Sequence, residues 1–310
     1  MFRRAIITDE ISQQPREAIE LSRRFGLDGI EIRSAWEKRP HEFSQADVHA
    51  LRTLSMDAGL AVCAVATPCF KCAVDDPAAV QTHFEMLRRC LDVCTGLGAS
   101  IARVFSFWPQ GDRAGGNAPS AEGAWAAVPS LIADHLARAA DVARTFGCRL
   151  GVENEPSVVG SNCWRVAGLL ARAHHPALGA VWDPGNDLYD PSGEQPYPEG
   201  YLHLQPYLLH VHIKDARRDL ATGSAQAVPL GDGEVPYARI FTTLIEDGYA
   251  GFVSLETHYR IARPVSPEVA LMPGGSAFSA GGLEASTLCL QRWQTLLATA
   301  GIAAPLNRED

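Results

Sequence analysis

Eight short apolar runs recur along this chain, and helix-patterned segments follow seven of them. That repetition constrains the fold more than any other feature. "AIITDEIS" (5–12) reads as a first strand. "PREAIELSRRFG" (15–26) reads as a helix, with apolar residues at helical spacing and basic residues ahead of a terminal glycine. "GIEIR" (29–33) and "QADVHALRTLSMDAG" (45–59) repeat the pair, followed by "LAVCAVAT" (60–67) and a helix over 77–96. "SIARVFSF" (100–107) is the fourth strand, and a Gly-rich loop, "PQGDRAGGNAPS", leads to a long helix around 121–146. "CRLGVENE" (148–155) is the fifth strand, and "GAVWD" (179–183), after a helix near 162–174, is the sixth. "LLHVHIKD" (208–215) is the seventh, and "GFVSLE" (251–256), after a helix over 237–248, is the eighth. A helix over 283–301 closes the series. Eight strands alternating with helices call for a parallel sheet, and eight units close into a (β/α)8 TIM barrel, here a single α/β domain spanning 1–310. An open, doubly wound sheet is disfavoured, because no G-x-G-x-x-G or Walker motif follows an early strand. The Gly-rich "LMPGGSAFSAGG" (271–282) reads as a long surface loop and a candidate lid.

The seventh strand carries an anomaly. In "LLHVHIKDA" (208–216) strict alternation sends Leu209, Val211 and Ile213 one way and His210, His212 and Lys214 the other. Two imidazoles and an ammonium are costly to bury unsatisfied, so that face must look at something polar. Active sites of such barrels sit at the C-terminal ends of the strands. There "GVENEP" ends on Glu153, "VWDPGND" on Asp183, "HVHIKD" on His212 and "FVSLETH" on Glu256. The first two intervals each match one strand–helix–strand repeat, and the third is a repeat with an insertion. Each of the four follows an apolar residue, Val152, Trp182, Val211 or Leu255, that can face the helices. One parity therefore aims two glutamates, an aspartate and a histidine at a common point.

Three carboxylates in a small volume raise one another's pKa, and a divalent cation removes the conflict. Three oxygen donors and one imidazole suit one Mn²⁺, Mg²⁺, Co²⁺ or Zn²⁺ ion, with positions left open for substrate. His210, one step deeper, is expected behind His212 or on the barrel floor. Taken singly, each residue has a plainer role: Asp183 as a turn former before Pro-Gly, Glu153 as a cap of the next helix, His212 as a satisfied core histidine. Those roles do not account for four such groups with one parity at repeat spacing.

At these residues the sequence resembles the xylose-isomerase-like TIM-barrel superfamily, in its sugar phosphate isomerase/epimerase branch. The likeness runs from "ITDEIS" through "GIEIR", "ARVF", "GVENE", "HVHIKD" and "GDGEV" to "SLETH". It implies metal ligation by Glu153, Asp183, His212 and Glu256, with Glu153 and Glu256 as the acid/base pair that exchanges protons with a sugar. The chain departs from many relatives at two positions, where Asn186 and Glu155 stand in place of histidines. A neutral amide can hydrogen-bond a substrate oxygen but cannot shuttle a proton.

The expected reaction is therefore isomerisation or epimerisation of a sugar or sugar phosphate. A metal-bound enediolate would form when one carboxylate takes a proton and the other returns one. Lys214 and Arg217, at or beyond the end of the seventh strand, are candidates to hold substrate oxygens, and Trp108 with Phe107 to wall the pocket. A dehydratase acting on a polyol ketone or a hydroxy-acid ring shares the first step and is the alternative. More remote are an apurinic endonuclease, which needs further His and Asp ligands, and a non-catalytic sugar-binding protein. A net charge of −9 and a pI near 5.6 argue against a nucleic-acid partner. No run of about 18 apolar residues spans a membrane, and the N-terminal apolar run stops at Thr8-Asp9-Glu10, so a cytoplasmic protein is expected. The partner is a small sugar or polyol, with a homo-oligomer left open. Eight cysteines in 310 residues are too sparse for a disulfide scaffold, and the lone C-x-x-C of Cys69 and Cys72 lacks the second pair of a zinc site.

Overall fold

The computed structural model describes residues 1–109, 129–190, 194–219, 224–262 and 275–302. Most of the Gly-rich loop after the fourth strand, the expected start of the following helix over 121–128, and 271–274 of the candidate lid lie outside the described residues.

The eight expected barrel strands are present: β1 (Arg3–Ile6), β2 (Gly29–Ile32), β3 (Ala61–Ala66), β4 (Ile101–Val104), β5 (Arg149–Glu153), β6 (Leu178–Trp182), β7 (Leu208–Ile213) and β10 (Phe252–Leu255). All neighbouring pairs are parallel, in the order β1-β10-β7-β6-β5-β4-β3-β2. A parallel bridge between Ile7 and Glu31 joins the two outer strands and closes the barrel. The helices between strands are α1 (Pro15–Arg24), α2 (Gln45–Asp57), α3 (Pro77–Leu97), α4 (Pro129–Thr145), α5 (Cys163–Ala173), the short α6 (Tyr201–Leu204), α7 (Tyr237–Glu246) and the closing α8 (Gly282–Thr299). Among the described residues no helix is long and apolar enough to cross a membrane.

Alternation along the strands sorts the side chains into two environments. Val104, Val152, Trp182, Val211, Ile213, Val253 and Leu255 join the helix residues in one large apolar core. The opposite face of the same strands fills the barrel. At its lower end Ala5, Cys63, Ala64, Ile101 and Phe252 form a small separate cluster. Leu209 packs on that cluster, not on the helix side where strict alternation would send it. The reason is a bulge: Ala180 pairs with Leu208 while Val181 pairs with His210, so Leu209 is an extra residue turned to the floor over Gly179.

Several strands end earlier than their sequence pattern suggests, and after two of them the chain enters structure of another kind. After β1, Thr8–Glu10 winds into a 3-10 turn whose three side chains are buried. After β7 the chain turns into an antiparallel hairpin, β8 (Asp215–Arg218) with β9 (Ala225–Val228), which the sequence pattern does not announce.

Helix ends follow local chemistry. Asp76 caps α3 by accepting from the Ala78 and Ala79 N–H groups, Pro77 occupies the first turn, and Gly98 ends the helix at φ 77°. Asp76→Ala should lower unfolding free energy by about 1 kcal/mol. A urea titration would read this as a lower midpoint at unchanged slope. All eight cysteines are free and buried, and burial pushes the Cys72 thiol up to about 12, which suits unreactive thiols.

Candidate active site

The strand ends of β5, β6, β7 and β10 bring Glu153, Asp183, His212 and Glu256 together. Their donor atoms all lie within 4.8 Å of one another and all four residues are buried. His212 stands at the centre. Its Nδ1 faces Glu153 Oε1 at 3.0 Å, and its Nε2 lies 3.1 Å from both oxygens of Glu31. Glu31, inward on β2, also meets His210 Nε2 at 2.9 Å, and the same nitrogen lies 3.0 Å from Ser254 Oγ. An ionised Glu31 only accepts, so both imidazoles present an Nε2–H to it. His212 Nδ1 faces the group of four, where as the imidazolium it donates to Glu153; loss of that proton would leave a lone pair there for an ion.

His210 therefore lies on the barrel floor behind His212, and its imidazole is not among the side chains that line the pocket. Burial opposes charge on His212, but Glu31 and Glu153 outweigh it and hold the imidazolium well above its ordinary range.

The remaining members are held by cations. Lys214 Nζ donates to Asp183 Oδ2 at 2.6 Å and to Glu256 Oε2 at 2.5 Å. Arg33 donates to Glu256 Oε1 at 2.6 Å, to Glu10 Oε1 at 2.5 Å and to Asp9 Oδ1 at 2.9 Å, and its guanidinium lies over Phe278. His258 Nε2 is 3.3 Å from Glu256 Oε1. Arg103, inward on β4, sits 3.3 Å from Glu153 Oε2.

These neighbours set the titration of the carboxylates. Burial would raise Glu256, but Lys214, His258 and Arg33 prevail and hold it well below the usual carboxylate range. Glu153 is likewise pushed up by burial and brought below that range by Arg103 and His212. Asp183 goes the other way, to about 6, because burial together with Glu256 and Glu153 outweighs Lys214.

Backbone bonds register the strand ends against each other. Asn154, between the two glutamates of "GVENEP", accepts the Asp183 N–H at 2.8 Å and donates to the Asp183 carbonyl at 2.9 Å. Asn186 in turn donates its side-chain amide to the Asn154 carbonyl at 2.8 Å. Asp183 Oδ1 accepts from the Gly185 and Asn186 N–H groups, so the turn-forming role of "WDPGN" and membership of the buried group coexist.

The pocket above these residues has Glu153, Glu256, Glu155 and Asn186 in its wall together with Arg33, Lys71, Arg103, Lys214, His258 and Phe105. Asp183 and His212 lie beneath it, fully buried. Two expected substrate contacts are elsewhere. Arg217 is exposed on β8 and donates to the Asp232 carbonyl, because the hairpin carries it away from the barrel mouth. Trp108 is half-buried outside the pocket lining, with its N–H bound to the Cys72 carbonyl.

The loop "LGDGEV" is also accounted for. Its Gly231, Gly233 and Val235 N–H groups all point at the Asp215 carboxylate, so they are not presented to a phosphate. A Cβ at Gly233 would fall 2.0 Å from Asp215 Oδ1, which requires glycine there.

The functional residues that sequence reasoning passed over are Glu31, Arg33, Lys71, Arg103, Asn154 and His258. Most stood in quoted motifs, "GIEIR", "ARVF", "GVENE" and "SLETH", but nothing local in those motifs says which distant strand each side chain meets.

The donor set fits a divalent ion: three carboxylates and one imidazole, buried, mutually within reach, with the imidazole tautomer held from behind by Glu31. Lys214 bonds two of the four. Its flexible stem allows the ammonium to move off when Asp183 and Glu256 turn to a metal.

No curated protein sequence matches this chain. Among solved structures, a D-psicose 3-epimerase crystallised with D-fructose superposes with TM-score 0.70 at 17% identity, over 96% of this chain and 99% of its own. A D-allulose 3-epimerase from Methylomonas sp. in complex with D-allulose gives 0.66 at 19% identity, over 94% and 97%. A xylose isomerase-like TIM barrel protein from Mycobacterium smegmatis in complex with magnesium gives 0.63 at 21%, over 96% and 97%. At such identities these likenesses establish the fold. A family model described as xylose isomerase-like TIM barrel matches residues 19–278, most of the length, and the chain belongs to that family.

Proposed function

We propose that this protein is a divalent-metal-dependent isomerase or epimerase of a sugar or sugar derivative, which moves a proton on the carbon next to a carbonyl. The observation that carries this reading is the placement of two pocket-wall glutamates, Glu153 and Glu256, over one buried set of metal donors. The epimerases named among the structural neighbours support it.

Glu153, Asp183, His212 and Glu256 would hold the ion. When bound, it would supply Lewis-acid polarisation of the substrate oxygens and stabilise the negative charge left when a proton departs from carbon. Glu153 and Glu256 hold and move that proton. One removes it and the other returns one to a neighbouring carbon or to the opposite face. Arg33 donates to Glu256 Oε1, with the His258 ring 3.3 Å away, so this carboxylate is fixed in orientation. Asn186 offers a neutral amide to a substrate hydroxyl. Phe105 supplies an apolar wall that excludes water, the role first expected of Trp108. Four cations buried inside a barrel do not make the basic outer surface that a nucleic-acid partner requires.

The test is incubation with a ketose and Mn²⁺ or Mg²⁺ in D₂O. Deuterium should enter the carbon next to the carbonyl, with formation of an epimer or aldose. A product that has lost water, detected by NMR, would move the assignment to a dehydratase. Metal binding without turnover on any sugar would leave a binding protein.

Glu31 provides a further check. Glu31→Gln removes the acceptor that orients both imidazoles, and metal affinity measured by calorimetry should fall roughly 10- to 100-fold. Unchanged affinity would show that the imidazole needs no support from β2.

A further inference from the structure

We propose that the substrate carries an anionic group, a carboxylate or a phosphate, seated between Lys71 and Arg103 against the Phe105 ring. This deepens the reading above and rests on the same pocket being the substrate site. Arg103 is 3% exposed and Lys71 8%. Both line the pocket, with the Arg103 guanidinium 4.1 Å and the Lys71 ammonium 4.4 Å from the centre of the Phe105 ring. Two cations beside one ring repel each other, and burial with the Arg103 charge draws the Lys71 pKa down.

Each has one carboxylate opposite: Glu155 at 3.2 Å from Lys71 and Glu153 at 3.3 Å from Arg103. Glu153 is also one of the four metal donors, so an ion draws charge from the partner on which Arg103 relies. Arg103 Nε is buried with no hydrogen-bond partner. A buried donor left unmade is costly unless a ligand completes it.

Arg33 serves Asp9, Glu10 and Glu256, and Lys214 serves Asp183 and Glu256. The amides of "LGDGEV" are turned to Asp215. The wall formed by Lys71 and Arg103 carries a buried guanidinium N–H, Arg103 Nε, without a partner, and is the place for an anion. A pocket for a neutral sugar needs amides, hydroxyls and an aromatic face, and does not call for two buried cations on one wall. A guanidinium and an ammonium converging on one point match a carboxylate or phosphate. With the anion on that wall, Glu153 stands between it and His212, so the reacting carbons would lie toward the donor set.

The test is calorimetric titration of the metal-loaded protein with D-fructose, D-fructose 6-phosphate and D-fructuronate, repeated on Lys71→Met and Arg103→Met. At least one anionic probe should bind 10-fold or more tighter than D-fructose; Lys71→Met should lose roughly 10- to 100-fold for that probe while leaving D-fructose within about 2-fold, and Arg103→Met, which also removes the partner of Glu153, should lose at least 10-fold more for that probe than for D-fructose. Preference for the phosphate assigns a sugar phosphate; preference for the carboxylate assigns a sugar acid. D-fructose binding as tightly as both anions overturns the proposal, as does an equal loss for all three probes in the variants. Should a variant not fold, competition on the unmodified protein decides. Inorganic phosphate or acetate must displace the anionic probe at millimolar concentration, and failure of both counts against the site. Solvent deuterium exchange is scored separately. Anion-dependent binding without exchange would retire the isomerase reading and leave the anion site standing. Exchange on neutral ketose with no gain from an anion would do the reverse.

Discussion

Glu256→Gln is expected to lower turnover by roughly 10²–10⁴-fold, the usual worth of a general acid or base, while retaining measurable metal binding. The substitution keeps side-chain volume and one oxygen for the ion but removes the base. In the structure Glu256 is bonded to Lys214 and Arg33 and lies 3.3 Å from His258, and these three hold its carboxyl well below the ordinary range. A carboxylate so stabilised is a weak base toward water. It can still act on a carbon acid that the ion has acidified, so the chemistry requires metal and glutamate together. In the proposed mechanism Glu153, with Arg103 and His212 as its neighbours, is the partner base, and Glu153→Gln should lower solvent exchange beyond its effect on metal loading. The check is initial rate and deuterium incorporation at saturating metal, with bound metal quantified in the same samples. Full activity in either variant with metal bound would remove that residue from the proton path.

The barrel was legible in the chain because its signal is local and repeated. Each strand carries its own alternation, and Val152, Trp182, Val211 and Leu255 enter the outer core as their spacing implies. The group of four was legible for the same reason, being four strand ends of one parity. What escaped notice depends on partners far apart in sequence. Arg33 meets Glu256 across 223 positions and His210 meets Glu31 across 179, so neither pairing leaves a local trace. The 3-10 turn at Thr8–Glu10 escaped because "AIITDEIS" reads as one continuous strand, although it is the turn that buries Asp9 and Glu10 beside Arg33. Leu209 was assigned to the helix side because a bulge adds one residue to one strand, and alternation alone cannot register an insertion. The polar wall at Lys71 and Arg103 is a third case. One residue comes from the loop after β3 and the other from β4, and only the closed barrel brings both to Phe105.

The two histidines of β7 should separate cleanly. One strand repeat apart, they share Glu31 but face different surroundings. His212 Nδ1 is directed at Glu153, whereas His210 Nε2 binds only Glu31 and Ser254, and the rings meet edge-on with centroids 5.2 Å apart. His212→Ala should abolish metal binding by calorimetry, abolish turnover, and remove the rise in melting temperature that saturating Mn²⁺ or Mg²⁺ gives the unmodified protein. That rise corresponds to about 2.7 kcal/mol at a hundredfold excess over Kd. His210→Ala removes no metal donor. It deprives the buried Glu31 of one of two partners, for which a loss of about 3 kcal/mol in unfolding free energy is expected. The ion-dependent rise in melting temperature should persist, starting from a lower value. His210→Gln, which retains a donor, should recover part of the stability. Metal binding lost in His210→Ala and kept in His212→Ala would mean that β7 presents its neighbouring inward residue to the ion, and the donor set would have to be redrawn one strand repeat deeper.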